Sequence, residues 1–434
     1  MSSPKIILAL GVAGAALIAA SQASAAGFYL QEQSVRGTGR AYSGEVADRG
    51  AASLWWNPAA IAGIQNNEIY GGMSLVMVDS EVSNTGSTID RVAPGVPVLP
   101  VGGDERAYDP IKGGLVPNLS GAFRVTDRLA VGVSTYAPYN FTTAYSGNSF
   151  TRYDALKSRL MTANIQGTAA YRVTDWLDVG VGVNAIYADA TLTSAYPNVS
   201  PLQPDGRSEL TGDGWDFGWN AGLQLHANDK LTIGASYRSE VKHTLDGSVV
   251  VSGLLAPAAA ANMDVDGKAK ITTPWIATLG ARWAVTDKLT LNAQAQRIGW
   301  GEFDAIRVSY AGGGFESDQN YKDVTSGGVG FDYAVNEKLT VRAGVQYDPT
   351  PTPDIGRTAR VPDGDRWLYG AGATINLKPN LALDIAGAYI AFDEAEIVRD
   401  DVIFGGTPLA TPVALRGKAE GSGVIMAAGA RWSF

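Results

Sequence analysis

AGFYLQEQSVRGTGRAYSGEVADRGAASLWWNPAAIAG, residues Ala26–Gly63, is too polar and too rich in glycine and alanine to build a core of its own. It nevertheless carries Phe28, Tyr29, Trp55 and Trp56, large rings that a tail in water would leave unused. Gly37, Gly39, Gly44 and Gly50 allow tight folding, and Asn57-Pro58 initiates a turn. A segment of this kind needs a host with room inside it.

The host is written in the residues that follow. A short phrase recurs at Val125–Leu129, Val173–Leu177, Ala227–Leu231, Val285–Leu289, Val335–Leu339 and Leu377–Leu381: an apolar residue, turn residues, then an alternating run. Asn and Asp at these turns tolerate the backbone angles of a tight hairpin. After each turn the residues alternate with period two, which sorts them onto the two faces of a sheet. Leu289, Leu291, Ala293 and Ala295 fall on one face, with Thr290, Asn292, Gln294 and Gln296 on the other. Leu339, Val341, Ala343 and Val345 oppose Thr340, Arg342, Gly344 and Gln346 in the same way. Apolar outside and polar inside is the pattern that lipid and a lumen impose.

Six hairpins supply twelve strands, and two more at about Glu68–Asp79 and Gly423–Phe434 make fourteen. The connections at the other rim are long, at about Ser80–Gly114, Thr143–Ser158, Ala190–Asp213, Asp246–Lys270, Glu302–Tyr321, Pro349–Asp365 and Glu394–Glu420. Short turns on one rim and long loops on the other define an outer-membrane barrel. A soluble β-sandwich would also alternate, but its loops would not sort by rim. The expected fold is therefore all-β: a 14-stranded antiparallel transmembrane barrel over residues 67–434, its lumen plugged by an N-terminal hatch at 26–66.

Composition agrees. The 434 residues include 52 glycines, many Tyr and Trp, no cysteine and two histidines, which suits strands and turns. Absent cysteine removes disulfides, thiolate metal sites and cysteine nucleophiles. A net charge of -9 without basic runs excludes a nucleic-acid partner. Residues 1–25 read as a secretory signal: Lys5, an apolar run from Ile6 to Ala20, and Ala23-Ser24-Ala25 before the cut. That run is shorter than the roughly 20 residues a spanning helix needs.

Two further features would be unnecessary in an open pore. Pro138 falls within the third strand, where it cannot donate to a ladder. It marks either an interruption of the wall or the end of the strand. Leu254 and Leu255 begin an apolar loop stretch, Leu254–Ala261, expected as a short helix over the barrel mouth that catches a greasy ligand or packs on other loops. No enzymatic constellation stands out, because neither His226 nor His243 has a Ser or carboxylate arrangement in sequence beside it. Asp264, Asp266, Asp363 and Asp365 lack the flanks of a calcium loop and read as solvated carboxylates. No metal, cofactor or catalytic residue is expected.

Several phrases together resemble the FadL family of outer-membrane long-chain fatty acid transporters. They are Ala26-Gly27-Phe28, Gly39–Glu45, Asn57-Pro58-Ala59, Gly214-Trp215, Phe217–Gly222, Tyr237–Lys242, Val361-Pro362-Asp363 and Asp365-Arg366-Trp367. The resemblance implies a bacterial outer-membrane carrier that takes up long-chain fatty acids, or another hydrophobic small molecule, without an energy source. Cargo would land on outer loops, enter an internal pocket, and leave sideways at the kinked third strand. The implied pocket residue is Phe28, and the implied gate comprises Asn57, Pro58 and Ala59 of the hatch with Pro138 of the wall. A basic pair would hold the carboxylate: one member matches Lys322, but the position of the other, after Tyr187-Ala188, holds Asp189. An acid there would repel an anionic head, unless Arg159 or Arg238 compensates or the cargo is neutral, as for the family's aromatic-hydrocarbon transporters. The implied partners are outer-membrane lipid and the barrel assembly machinery, and a monomer is expected. A general diffusion porin and a surface adhesin are the rival readings.

Overall fold

The computed structural model describes residues 27–91 and 97–434; the expected signal segment, residues 1–25, lies outside them. Fourteen antiparallel staves form one continuous sheet. They are β1 (Glu68–Asn84), β2 (Gly114–Arg124), β3 (Leu129–Tyr136, resuming at Phe141–Ala144), β4 (Lys157–Thr174), β5 (Leu177–Tyr196), β6 (Gly206–Asn228) and β7 (Leu231–Arg238 and Val241–Ser252). The rest are β8 (Met263–Thr273 and Trp275–Ala284), β9 (Leu289–Gly299 and Ala305–Tyr310), β10 (Gly313–Asp318 and Val324–Ala334), β11 (Leu339–Asp348), β12 (Arg366–Lys378), β13 (Leu381–Phe392 and Ala395–Ile403) and β14 (Thr411–Ser433). The sheet closes where β1 pairs with β14 in unbroken register, from Glu68 opposite Ser433 to Asn84 opposite Gly417. Closure leaves no lengthwise edge unsatisfied, which a lipid setting requires.

The expected alternation holds in the ladder. Asn292, Gln296, Arg342 and Gln346 are buried toward the lumen, whereas Leu291, Val329, Ile385 and Met426 are exposed on the outer surface. Outward aromatics such as Trp215, Phe217, Trp219, Trp283, Trp367 and Trp432 complete an interfacial belt.

The staves are longer than expected. β1 runs on to Asn84, β14 begins at Thr411, and the segments expected as loops at Ala190–Asp213, Asp246–Lys270, Glu302–Tyr321 and Glu394–Glu420 are largely strand. In these outer halves apolar residues such as Leu245, Val249, Ala269 and Val308 are buried inward, so the apolar-outside, polar-inside record that marks the membrane band does not continue there.

Every residue from Gly27 to Ala62 is buried except Arg49. Here the chain forms a short helix α1 (Val35–Gly39), capped by Ser34, and three single turns at Glu45–Ala47, Ala51–Ser53 and Pro58–Ile61. The hatch bonds to the inner wall on many sides: Val46 N–H to Gln294 of β9, Tyr70 of β1 to Val35 N–H, and Ser120 of β2 to the Ala51 carbonyl. Glycines give it a seat. A Cβ at Gly222 of β6 would run into Asn57, and one at Gly344 of β11 into the Arg40 carbonyl.

Candidate functional site: an apolar cavity beside a break in the wall

Between the hatch tip and the outer halves of β4 to β9 lies about 650 Å³ of atom-free space, open solvent at its mouth included. Its lining is dominated by Phe28, Phe141, Leu160, Leu192, Leu210, Leu245, Ile271, Phe303, Ile306 and Val361. Phe28 closes one side. Its ring lies 4.7 Å from Trp300, 5.0 Å from Phe303 and 5.7 Å from Phe141, in edge-on or tilted contacts. Such contacts favour a defined ring position beyond the area they bury.

The wall beside Phe28 is interrupted. The β2–β3 ladder ends at Leu119 opposite Thr135, and β3 stops at Tyr136 to resume at Phe141. Pro138 stands in the break. The hatch tip supplies the missing bonds: Leu30 N–H donates to the Pro138 carbonyl at 2.8 Å, and Asn140 N–H donates to the Phe28 carbonyl at 3.1 Å. Tyr29 pairs with Tyr139 as an isolated bridge, and Gln33 donates to the Ala137 carbonyl at 3.2 Å. From the other side Thr162 of β4 exchanges side-chain bonds with the Tyr139 backbone. The leading residues of the hatch therefore both cap the cavity and complete the interrupted strand.

Asn57, Pro58 and Ala59 make their bonds elsewhere, to the hatch turn and to β6. Asn57 Oδ1 accepts from Ala59 N–H at 2.9 Å, and its amide donates to the Val46 and Leu223 carbonyls at 2.7 and 3.0 Å. One side chain thus caps the turn, ties it to the rest of the hatch and fastens it to β6. Leu254 is buried in a cluster of its own loop with Val251 and Ala258, while Leu255 is exposed; the expected short helix is a single turn, Ala258–Ala261.

The cations separate sharply. Lys322 is exposed and does not line the cavity. Arg238 is buried deeper, stacked 3.8 Å from the Trp55 ring and bonded to Asn184, Gln166 and the Trp55 carbonyl. The expectation that Asp189 faces a bound anion is overturned by strand parity. On β5, Ala188 is buried and Ala190 lines the cavity, so Tyr187 and Asp189 face outward. There Tyr187 meets Trp215 at 5.4 Å and Asp189 pairs with Arg159. Arg159 is a residue of the cavity border, but its charge is matched on the outer face by Asp189. Arg360 also lines it, and sequence reasoning passed over it because a lone arginine in the loop Pro349–Asp365 carries no motif.

Asp363 also departs from expectation. Far from being solvated, it is buried and accepts hydrogen bonds from Gly27 N–H at 2.7 Å and Thr350 Oγ1 at 2.6 Å. Burial pushes its carboxyl up to about 6.

Residues 16–434 match the family described as outer membrane protein transport protein (OMPP1/FadL/TodX). The chain belongs to that family. It is 30% identical to outer membrane protein P1 of Haemophilus influenzae, over 90% of this chain and 92% of the relative. It is 26% identical to the long-chain fatty acid transport protein of Escherichia coli, over 90% and 92% of the two chains. The crystal structure of a Pseudomonas aeruginosa FadL homologue shares the fold with a TM-score of 0.81, at 23% identity, covering 94% of this chain and all of that one. The toluene transporter TodX of Pseudomonas putida does so with a TM-score of 0.68, at 17% identity, over 94% and 100%. This member of the FadL family is thus an outer-membrane transporter of hydrophobic compounds and not an enzyme.

Proposed function

We propose that this FadL-family protein carries long-chain fatty acids passively into the outer membrane, holding them in the cavity under Phe28 and releasing them sideways at the break in β3. The observation that carries this reading is the coincidence of cavity, hatch tip and interrupted strand. Phe28 and Phe141 line the cavity, and Phe28 and Asn140 share the hydrogen bond that bridges the break. Each buried methylene contributes about 0.8 kcal/mol, so a long chain binds well with no specific bond along its length. Release then requires a wall that moves. Withdrawing the tip opens the cavity and unpairs Ala137–Asn140 together, and an apolar ligand gains nothing by crossing water when lipid lies alongside.

The apolar lining also suits a neutral aromatic hydrocarbon, the second reading. Uptake of labelled oleate and labelled toluene, measured side by side in cells lacking and carrying the gene, separates the two. We expect the gene to raise oleate accumulation and leave toluene unchanged; the reverse pattern would reassign the cargo. Replacing Pro138 by Val, which restores a ladder donor, should slow oleate uptake several-fold while the barrel still inserts. Undiminished uptake in that variant would count against lateral release.

A further inference from the structure

Arg159 and Arg360 are the two basic residues that border the cavity, and Arg159, next to the inward Leu160, turns its side chain to the outward-facing Asp189. Arg159 is neutralised by Asp189. Arg360 has no carboxylate within ion-pair distance among the described residues: its Nη1 donates to Ser158 Oγ at 3.1 Å and to the Thr193 carbonyl at 3.4 Å, both neutral acceptors. The neighbouring Asp154 is engaged elsewhere, with Arg399 at 3.6 Å and with Ala359 N–H. A half-buried arginine beside a mainly apolar chamber is a costly placement, because a guanidinium withdrawn from water is normally matched by an anion.

We propose that Arg360 is the head-group anchor of the cavity, so that its cargo is an amphiphile with one terminal carboxylate. This rests on the transport reading above and narrows it. The planar fork suits a carboxylate, and the apolar walls suit the chain behind it. Arg360 also occupies a strategic place. Its carbonyl accepts from Thr143 in the outer run of β3, the adjacent Ala359 carbonyl accepts from Tyr145 at 2.7 Å, and Asp363 three residues on holds Gly27. A carboxylate arriving at Arg360 therefore lands on the loop that ties the resumed strand to the hatch tip. Burial lowers the pKa of this guanidinium, which lies outside the membrane staves, and the more distant carboxylates of Asp154 and Asp401 offset only part of that cost.

The test is binding of palmitate and of hexadecanol, equal in chain length and different in charge, to the full-length protein in a non-ionic detergent at pH 8. The wild type should prefer palmitate by about tenfold, since hydrogen bonds to a charged group exceed those to a hydroxyl by roughly that factor. Arg360→Gln should erase the preference and leave hexadecanol affinity within about twofold, and Arg360→Lys should restore part of it. A palmitate preference that survives Arg360→Gln, or an equal loss of both ligands, overturns the assignment. If the folded wild type binds neither ligand, the transport reading itself fails, a result distinct from failure of the anchor.

Discussion

The two ends of the hatch are held by different physics. Around Arg40 the fastening is ionic: its guanidinium meets Glu45, Asp48 and, at 3.1 Å, Asp332 of β10. Asp332 is shared further with Arg342 at 2.9 Å and Arg282 at 3.1 Å, from β11 and β8. At the tip, Gly27 to Leu30 are held by backbone bonds to an interrupted strand, one buried carboxylate and ring contacts. Members of a buried charge network depend on one another: Glu45 pairs with Arg40, while Asp48 and Asp332 also share Arg282. Ring contacts and a few backbone bonds are separately small. Under the proposed release route, the Arg40 network is the end that would stay and the tip the end that would move.

The sharpest way to break this contrast is Arg40→Ala. Three carboxylates would lose their common partner, at a cost of about 3–5 kcal/mol to the seated hatch. The barrel should still form, since its closure depends on the β1–β14 ladder and not on the plug. Single-channel recording in planar bilayers should show a nearly closed wild type and a variant with frequent open events. A variant as closed as the wild type would show that the network does not hold the plug.

Phe28→Ala addresses the other end. It removes the ring that packs on Trp300 and Phe303 and leaves one side of the cavity open. Core Phe truncations start near about 3 kcal/mol, and a ring bordering an open cavity belongs at that lower bound. Palmitate should dissociate at least tenfold faster in stopped-flow displacement, while bilayer conductance stays low because the Arg40 network is intact. Raised conductance in this variant would mean that the two ends move as one body.

This division was only half legible in the sequence. The hairpin turns and two-residue alternation give the fourteen staves, because lipid on one side and polar lumen on the other leave a periodic record in residues such as Leu289 to Gln296. The burial of the leading segment was legible in Phe28, Tyr29, Trp55 and Trp56, rings that need partners away from water. The binding cavity leaves no such record: Leu160, Leu210, Leu245, Ile271 and Phe303 come from separate staves and loops and obey no common period. Asp189 illustrates the cost of reading a position without its face, since one residue of strand parity moves it from lumen to exterior. Arg360 and Asp363 sit in one irregular loop, where only the folded chain reveals what each side chain reaches.

Asp363 supplies the finest test of a lightly held tip. Its pKa is near 6 when buried against Gly27 and falls to an ordinary carboxylate value, 3.8, once the tip leaves and water enters. The seated state therefore binds more protons than the released state between about pH 4 and pH 6, so seating weakens as pH rises through that window and levels off above it. The full span of the effect is under about 3 kcal/mol. Hydrogen exchange in a peptide covering the tip, corrected for intrinsic rate, should lose protection from pH 4 to pH 6.5 in the wild type relative to Asp363→Asn, which keeps an acceptor for Gly27 but cannot ionise. Protection around Arg36 to Asp48 should show no such difference between the two proteins. If the tip instead gained protection over this range relative to the Asn variant, the ionised carboxylate would be the clasp, and the tip would be held by charge just as the Arg40 region is.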